Sequence, residues 1–201
     1  LEVTPAVLIP RPETETLVEC ALGRLPAGRA LAVADLGTGS GAIALAIASE
    51  RPDARVLATD ASRDALAVAR RNAVRLGIAN VAFAQGDWYA ALPPDATTFD
   101  LIAANPPYVG SGDPHLDAGD LRFEPPRALA SGGDGLDALR VIVAGAPSRL
   151  VPGGWLVVEH GHDQSDDVRS LFAQAGFDAI EARRDLAGIP RVVAGRRPAT
   201  R

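Results

Sequence analysis

The chain has 201 residues, 47% hydrophobic and 22% charged, with a formal net charge of -5. That is one globular unit large enough to bury a core. No apolar run reaches the ~20 residues of a membrane helix, and no charged-then-apolar start marks a secretory signal. The net acidic balance argues against a phosphate-backbone footprint. The expected setting is therefore cytoplasmic, with no membrane partner and no direct nucleic-acid partner. All 20 basic residues are Arg, which reflects genomic base composition and not chemistry. The chain holds no Met and begins at Leu1, so a preceding segment is expected. Its one cysteine, Cys20, has no disulfide partner and no Cys or His at metal-ligand spacing, and reads as a packing residue.

In chain order, Leu31–Asp35 reads as a buried strand that runs into Gly37-Thr38-Gly39-Ser40-Gly41. A helix follows over about 42–49, then a strand over 55–60. The next helix spans 62–76, with Ser62 as N-cap and Gly77 just past its end. Strands are expected at 81–85 and 99–104, the second leading into Asn105-Pro106-Pro107-Tyr108. A helix over 135–150, a strand over 154–159 and a helix over 164–175 come next. Segments 177–183 and 191–195 close the chain as a terminal hairpin. Residues 110–133 show no period and are rich in Pro, Gly and Asp, as long functional loops are.

Strands alternating with helices imply an α/β fold, a mostly parallel sheet covered on both faces. Ligands in such sheets sit at the carboxyl ends of the strands. The glycine loop, Asp60, Asp87-Trp88 and Asn105–Tyr108 all fall at such ends. Small residues in Gly37–Gly41 let the backbone approach a ligand, and the helix start behind them attracts a carboxylate or phosphate. The spacing is Gly-x-Gly-x-Gly, not the dinucleotide Gly-x-Gly-x-x-Gly. Asp60 can accept from two ribose hydroxyls or can cap the next helix. Asp87 can accept from an adenine amine, and Trp88 can pack on the ring or serve as a half-buried core aromatic. Together these positions describe a nucleoside with a carboxylate-bearing tail, which S-adenosylmethionine fits.

Asn105-Pro106-Pro107-Tyr108 adds the chemistry. Prolines remove N–H donors and leave carbonyls free to accept. An incoming NH2 group can donate one hydrogen to the Asn105 side chain and another to the Pro106 carbonyl, aiming its nitrogen at a methyl group. Tyr108 can stack on a planar amide or base. The bland alternative is a strand-ending turn. The three His residues (115, 160 and 162) are scattered, and no metal site is expected.

Ile9–Glu15, Asp35–Gly41, Asn105–Tyr108, Arg122-Phe123-Glu124-Pro125 and Glu159-His160-Gly161 occur in that order. With them the chain resembles the HemK/PrmC family of glutamine N5-methyltransferases over essentially its whole length. Asn-Pro-Pro-Tyr alone is shared with DNA and RNA amino-methyltransferases, whereas the Arg-Pro-x-Thr-Glu and Arg-Phe-Glu-Pro segments discriminate. The resemblance implies a Rossmann-like class I fold dependent on S-adenosylmethionine, with seven strands. It also implies S-adenosylhomocysteine as product, and as substrate the Gly-Gly-Gln glutamine of class 1 peptide chain release factors. Family cofactor contacts map to Gly37, Thr38, Gly39, Ser40, Gly41, Asp60, Trp88 and Asn105. Asn105, Pro106, Pro107 and Tyr108 match the segment that holds the glutamine. Arg11–Glu15 would lie near the mouth of the site, Arg11 toward substrate; Thr14 starts a helix there, in a capping role or a ligand contact. Residues 1–201 are then expected to be one catalytic domain, with 1–25 an approach segment and helix. The small N-terminal helical domain usual in the family would lie upstream of Leu1. Gly188-Ile189-Pro190 departs from the family's more polar turn. Two other readings stay open: an amino-methyltransferase of adenine or guanine in nucleic acid, and a non-catalytic nucleotide-binding scaffold.

Overall fold

A computed structural model describes residues 1–93, 98–113, 125 and 128–199. Seven strands are placed: β1 Ala32–Leu36, β2 Arg55–Asp60, β3 Val81–Gln85, β4 Phe99–Ala104, β5 Leu150–Glu159, β6 Asp178–Arg184 and β7 Pro190–Arg196. Five helices accompany them: α1 Glu13–Leu22, α2 Ala42–Glu50, α3 Arg63–Leu76, α4 Asp137–Gly145 and α5 Ser165–Gln174. The strand order is β3-β2-β1-β4-β5-β7-β6. Strands β1 to β5 pair in parallel, and β7 inserts antiparallel between β5 and β6. The Rossmann-like α/β class and the terminal antiparallel hairpin are both present. From β1 the chain winds outward through β2 and β3, then returns to β4 on the other side of β1. That reversal opens a crevice between the carboxyl ends of β1 and β4.

The strands bury both faces because their side chains alternate. Ala34, Leu36, Ile102, Ala104, Leu156 and Val158 face a core shared with Leu139 and Ile142 of α4 and Phe172 of α5. Val33, Leu101, Ala103 and Val157 face the opposite core, with Leu17 of α1 and Ile43 and Ile47 of α2. Each fully buried large side chain contributes roughly 1.5–3 kcal/mol of transfer free energy. Ser62 caps α3 by accepting from Ala65 N at 3.2 Å, and Gly77 ends it with φ +68°. Both cap assignments match the sequence expectation.

One boundary differs. The helix expected over 135–150 stops at Gly145, and a 3-10 turn at Ala146–Ser148 follows. Pro147 has no N–H to continue the ladder and would crowd the preceding turn. The Tyr89 hydroxyl donates to the Ile142 carbonyl at 2.5 Å, which also accepts from Ala146 N. β5 accordingly starts at Leu150, not 154, with Leu150 paired to Phe99 before a register shift. Gly153, at φ +83°, lets that bulge form.

Candidate active site

The crevice is walled on one side by the loop after β1. Gly37 N and Thr38 N donate to the Thr59 carbonyl at 2.9 and 2.8 Å, which ties the loop to β2. Gly37, Gly39 and Gly41 have φ of +75°, +55° and +87°, conformations that other residues adopt only under strain. Beneath the loop, fully buried Asp35 accepts from Thr38 Oγ1 at 2.6 Å and from Ala44 N at 3.2 Å. Burial pushes its carboxyl up to about 7, against these two hydrogen bonds.

Asp60 ends β2 beside the loop. It accepts from Gly39 N at 2.9 Å and Ser62 N at 2.8 Å. Burial raises its carboxyl while both N–H groups oppose the rise. Ser62, not Asp60, caps α3; Asp60 holds the turn before the cap and lines the crevice, with acceptor positions to spare because a carboxylate offers about four. Past β3, Asp87 is exposed and Trp88 is half-buried at φ +42°, a strained conformation for a bulky residue. A Cβ on Gly37 would come within 3.2 Å of the Trp88 ring, and its φ of +75° strains other residues, so glycine lets the indole sit close against the loop.

The opposite wall is the tip of β4. Asn105 and Pro107 line the same cavity as Gly37, Thr38, Gly39, Ser40, Asp60, Asp87 and Trp88; its volume is about 680 Å³. The start of α2 at Ala42 also borders it. Asn105 Oδ1 is buried and has no hydrogen-bond partner among the described residues, while its Nδ2 donates to Thr14 Oγ1 at 3.1 Å.

Pro106, Tyr108, Gly41 and Arg11 are not on the lining. Pro106 is buried behind the wall. Tyr108 packs its ring against the α4–α5 core, and its hydroxyl donates to Glu159 Oε1 at 3.2 Å. Burial, then the neighbouring Glu159 charge, holds that phenol well above its ordinary range. Gly41 sits at the N-cap of α2, where a Cβ would touch Leu45 and Ala69. Arg11 lines an adjacent groove with Pro12 and Glu15.

Two residues without an assigned chemical role in the sequence reading, Glu159 and Gln164, hold the β4 tip in place. Glu159 is fully buried and accepts from Thr14 Oγ1 at 2.8 Å. Gln164 Nε2 donates to the Tyr108 carbonyl at 2.9 Å, and its Oε1 accepts from Gly161 N at 2.9 Å. A buried glutamate closing an apolar strand was the available signal for Glu159. Nothing local marked Gln164. The described ends of the 110–133 loop pair with each other through Val109 N to the Leu129 carbonyl and Ser131 N to the Val109 carbonyl, both 2.9 Å. Pro125 and Ala128 reach the cavity. Residues 122–124 of the Arg-Phe-Glu-Pro segment, and His115, lie outside the described residues. Among the described residues no group of three His, Cys, Asp or Glu side chains forms a metal-holding cluster, and no helix is long and apolar enough to cross a membrane.

A family model described as methyltransferase small domain matches residues 14–136. The release factor glutamine methyltransferase of Xylella fastidiosa strain Temecula1 is 60% identical over 196 residues, covering 98% of this chain and 70% of that protein. The protein of the same name from Burkholderia pseudomallei is 54% identical over 202 residues, again covering 98% and 70%. A crystal structure of a release factor-specific protein-(glutamine-N5) methyltransferase from Alicyclobacillus acidocaldarius is 32% identical. It superposes with a TM-score of 0.57 over 98% of this chain and 99% of that one. With such identity over nearly its whole length, around a cavity that joins the glycine loop to the Asn105 segment, the chain belongs to the release factor glutamine methyltransferase family.

Proposed function

We propose that this chain transfers a methyl group from S-adenosylmethionine to the side-chain amide nitrogen of the glutamine in the Gly-Gly-Gln motif of class 1 peptide chain release factors. One observation carries the reading. Asn105, whose buried Oδ1 has no hydrogen-bond partner among the described residues, lines the same cavity as the glycine loop, Asp60 and Trp88. An orphaned buried acceptor is costly unless a ligand donor completes it.

The donor set fits the cofactor. Gly37–Ser40 and the start of α2 offer close backbone approach and a partial positive charge to a carboxylate. Asp60, with two N–H groups already bound, keeps acceptor capacity for ribose hydroxyls. Asp87 and Trp88 flank the space for an adenine. When bound, S-adenosylmethionine supplies an electrophilic methyl on a sulfonium sulfur, and S-adenosylhomocysteine is left.

Asn105 Oδ1 accepts one hydrogen of the glutamine NH2. An amide nitrogen is a weak nucleophile because its lone pair is delocalised. The Asn105 acceptor polarises the N–H bond and holds the lone pair toward the methyl, so positioning supplies much of the rate, and the nitrogen gives up one proton to solvent as or after it attacks. Tyr108 anchors the segment through Glu159, and Arg11, in the neighbouring groove, meets the release factor outside the reacting centre. Residues 1–201 act as the catalytic unit, with 1–25 the approach segment and α1, in the cytoplasm where release factors work.

The test is mass spectrometry of a release factor incubated with the protein and isotopically labelled cofactor, run beside Asn105→Ala. The parent places one methyl on the Gly-Gly-Gln glutamine, while Asn105→Ala loses at least about 100-fold in kcat. Label appearing in nucleic acid instead, or a parental rate in Asn105→Ala, overturns the proposal.

A further inference from the structure

From the cavity lining at Asn105 and Thr14 inward to Glu159, three side chains from distant parts of the sequence form one hydrogen-bonded chain. Glu159 ends β5 and is fully buried; Thr14 lies in the first turn of α1 and is 7% exposed. Asn105 follows β4. Thr14 Oγ1 donates to Glu159 Oε2 at 2.8 Å, and Asn105 Nδ2 donates to Thr14 Oγ1 at 3.1 Å. The Tyr108 hydroxyl donates to the other carboxylate oxygen at 3.2 Å.

The direction of this chain follows from proton counting. An ionised carboxylate only accepts. Thr14 owns a single hydroxyl hydrogen, and Glu159 takes it. The threonine oxygen can then only accept, so the Asn105 carboxamide must turn its nitrogen toward Thr14. Rotated by half a turn, the amide would press oxygen against oxygen and present NH2 to an incoming NH2. Held as it is, its oxygen points away from Thr14, and that oxygen is buried with no hydrogen-bond partner among the described residues.

We infer that Thr14 and Glu159 are positioning residues for methyl transfer: the buried carboxylate, acting through the Thr14 hydroxyl, locks the Asn105 carboxamide with its oxygen toward the substrate amide. The inference rests on glutamine methylation at this cavity. It also accounts for a carboxylate in a place where burial disfavours charge. A neutral partner would lack this directing effect. It could donate to Thr14, free the threonine hydrogen for Asn105 Oδ1, and reverse the amide.

The experiment compares Thr14→Val, Thr14→Ser and Glu159→Gln in the full chain. It measures kcat on a release factor, the Kd for S-adenosylmethionine, thermal melting, and the side-chain amide ¹⁵N–¹H signal of Asn105, assigned by its loss in Asn105→Ala. Thr14→Val and Glu159→Gln are expected to lose on the order of 10- to 100-fold in kcat, with cofactor Kd within about twofold of the parent. Thr14→Ser keeps the hydroxyl and retains most of the rate. The Asn105 amide signal moves in Thr14→Val and stays at its parental position in Thr14→Ser. A parental kcat in Thr14→Val and Glu159→Gln overturns the inference. So does a rate loss matched by equal losses of cofactor affinity and melting temperature that Thr14→Ser fails to repair. If the parent itself leaves the release factor unmodified, the glutamine reading fails; an amide signal unmoved by Thr14→Val then refutes the positioning separately.

Discussion

Asp60→Ala probes two functions held by one carboxylate. Its oxygens accept from Gly39 N at 2.9 Å and Ser62 N at 2.8 Å, so the substitution removes two charge-assisted bonds before any ligand is considered. Water can replace the carboxylate at exposed Ser62, but only partly at half-buried Gly39. The expected loss of stability is about 1–2 kcal/mol. On the proposed assignment, loss of the ribose contacts weakens S-adenosylmethionine by a further ~1–3 kcal/mol, and the loosened glycine loop adds to this. The cofactor Kd should therefore rise on the order of 10- to 100-fold, since each 1.4 kcal/mol is tenfold. Titration calorimetry with the cofactor, paired with urea unfolding, separates the two effects. Asp60→Asn should fall between parent and Ala, because its NH2 must face one of the two loop N–H groups. A Kd for Asp60→Ala within twofold of the parent would refute the assignment of Asp60 to the cofactor.

Asp35 and Gly135 offer independent checks. The fold raises the Asp35 carboxyl from its ordinary range to about 7. A raised acid is favoured in its protonated form by the folded state. Its stabilising contribution is thus fully present below about pH 4 and is lost as pH rises through about 7. Asp35→Asn, which stays neutral, should flatten the fall in unfolding free energy over that window by as much as ~3–4 kcal/mol; identical pH slopes in chemical denaturation would contradict this. Gly135 sits at φ +77°, and a Cβ there would overlap the Tyr108 carbonyl oxygen and the Gln164 side chain. Gly135→Ala should cost at least ~2 kcal/mol and slow methyl transfer. Parental melting and rate together would show that this packing does not support the Asn105 segment.

Local rules account for the elements that the residue pattern made legible. Ser62 and Gly77 bound α3 because a hydroxyl and a left-handed glycine satisfy helix ends within a few residues of sequence. The glycine loop, Asp60, Asp87-Trp88 and Asn105–Tyr108 could be assigned to one rim because parallel strands place their carboxyl ends on one edge, although Tyr108 then turns its ring to the core. The boundary between α4 and β5 escaped the same rules. Tyr89 bonds to the last turn of α4 from about fifty residues upstream, and Leu150 pairs with Phe99 across a bulge.

What the linear chain determined by itself was the alternation of strand and helix, the chemistry available at the rim, and the family, all carried by residues close to one another along the backbone. Only the tertiary structure decided that Glu159, Thr14 and Asn105 form one directed hydrogen-bonded chain, that Gln164 clamps the Tyr108 carbonyl, and that Tyr108 faces the core. These contacts join residues 51 to 145 positions apart. No periodicity or local motif encodes such a meeting; it exists only once the sheet order has brought α1, β4 and β5 together.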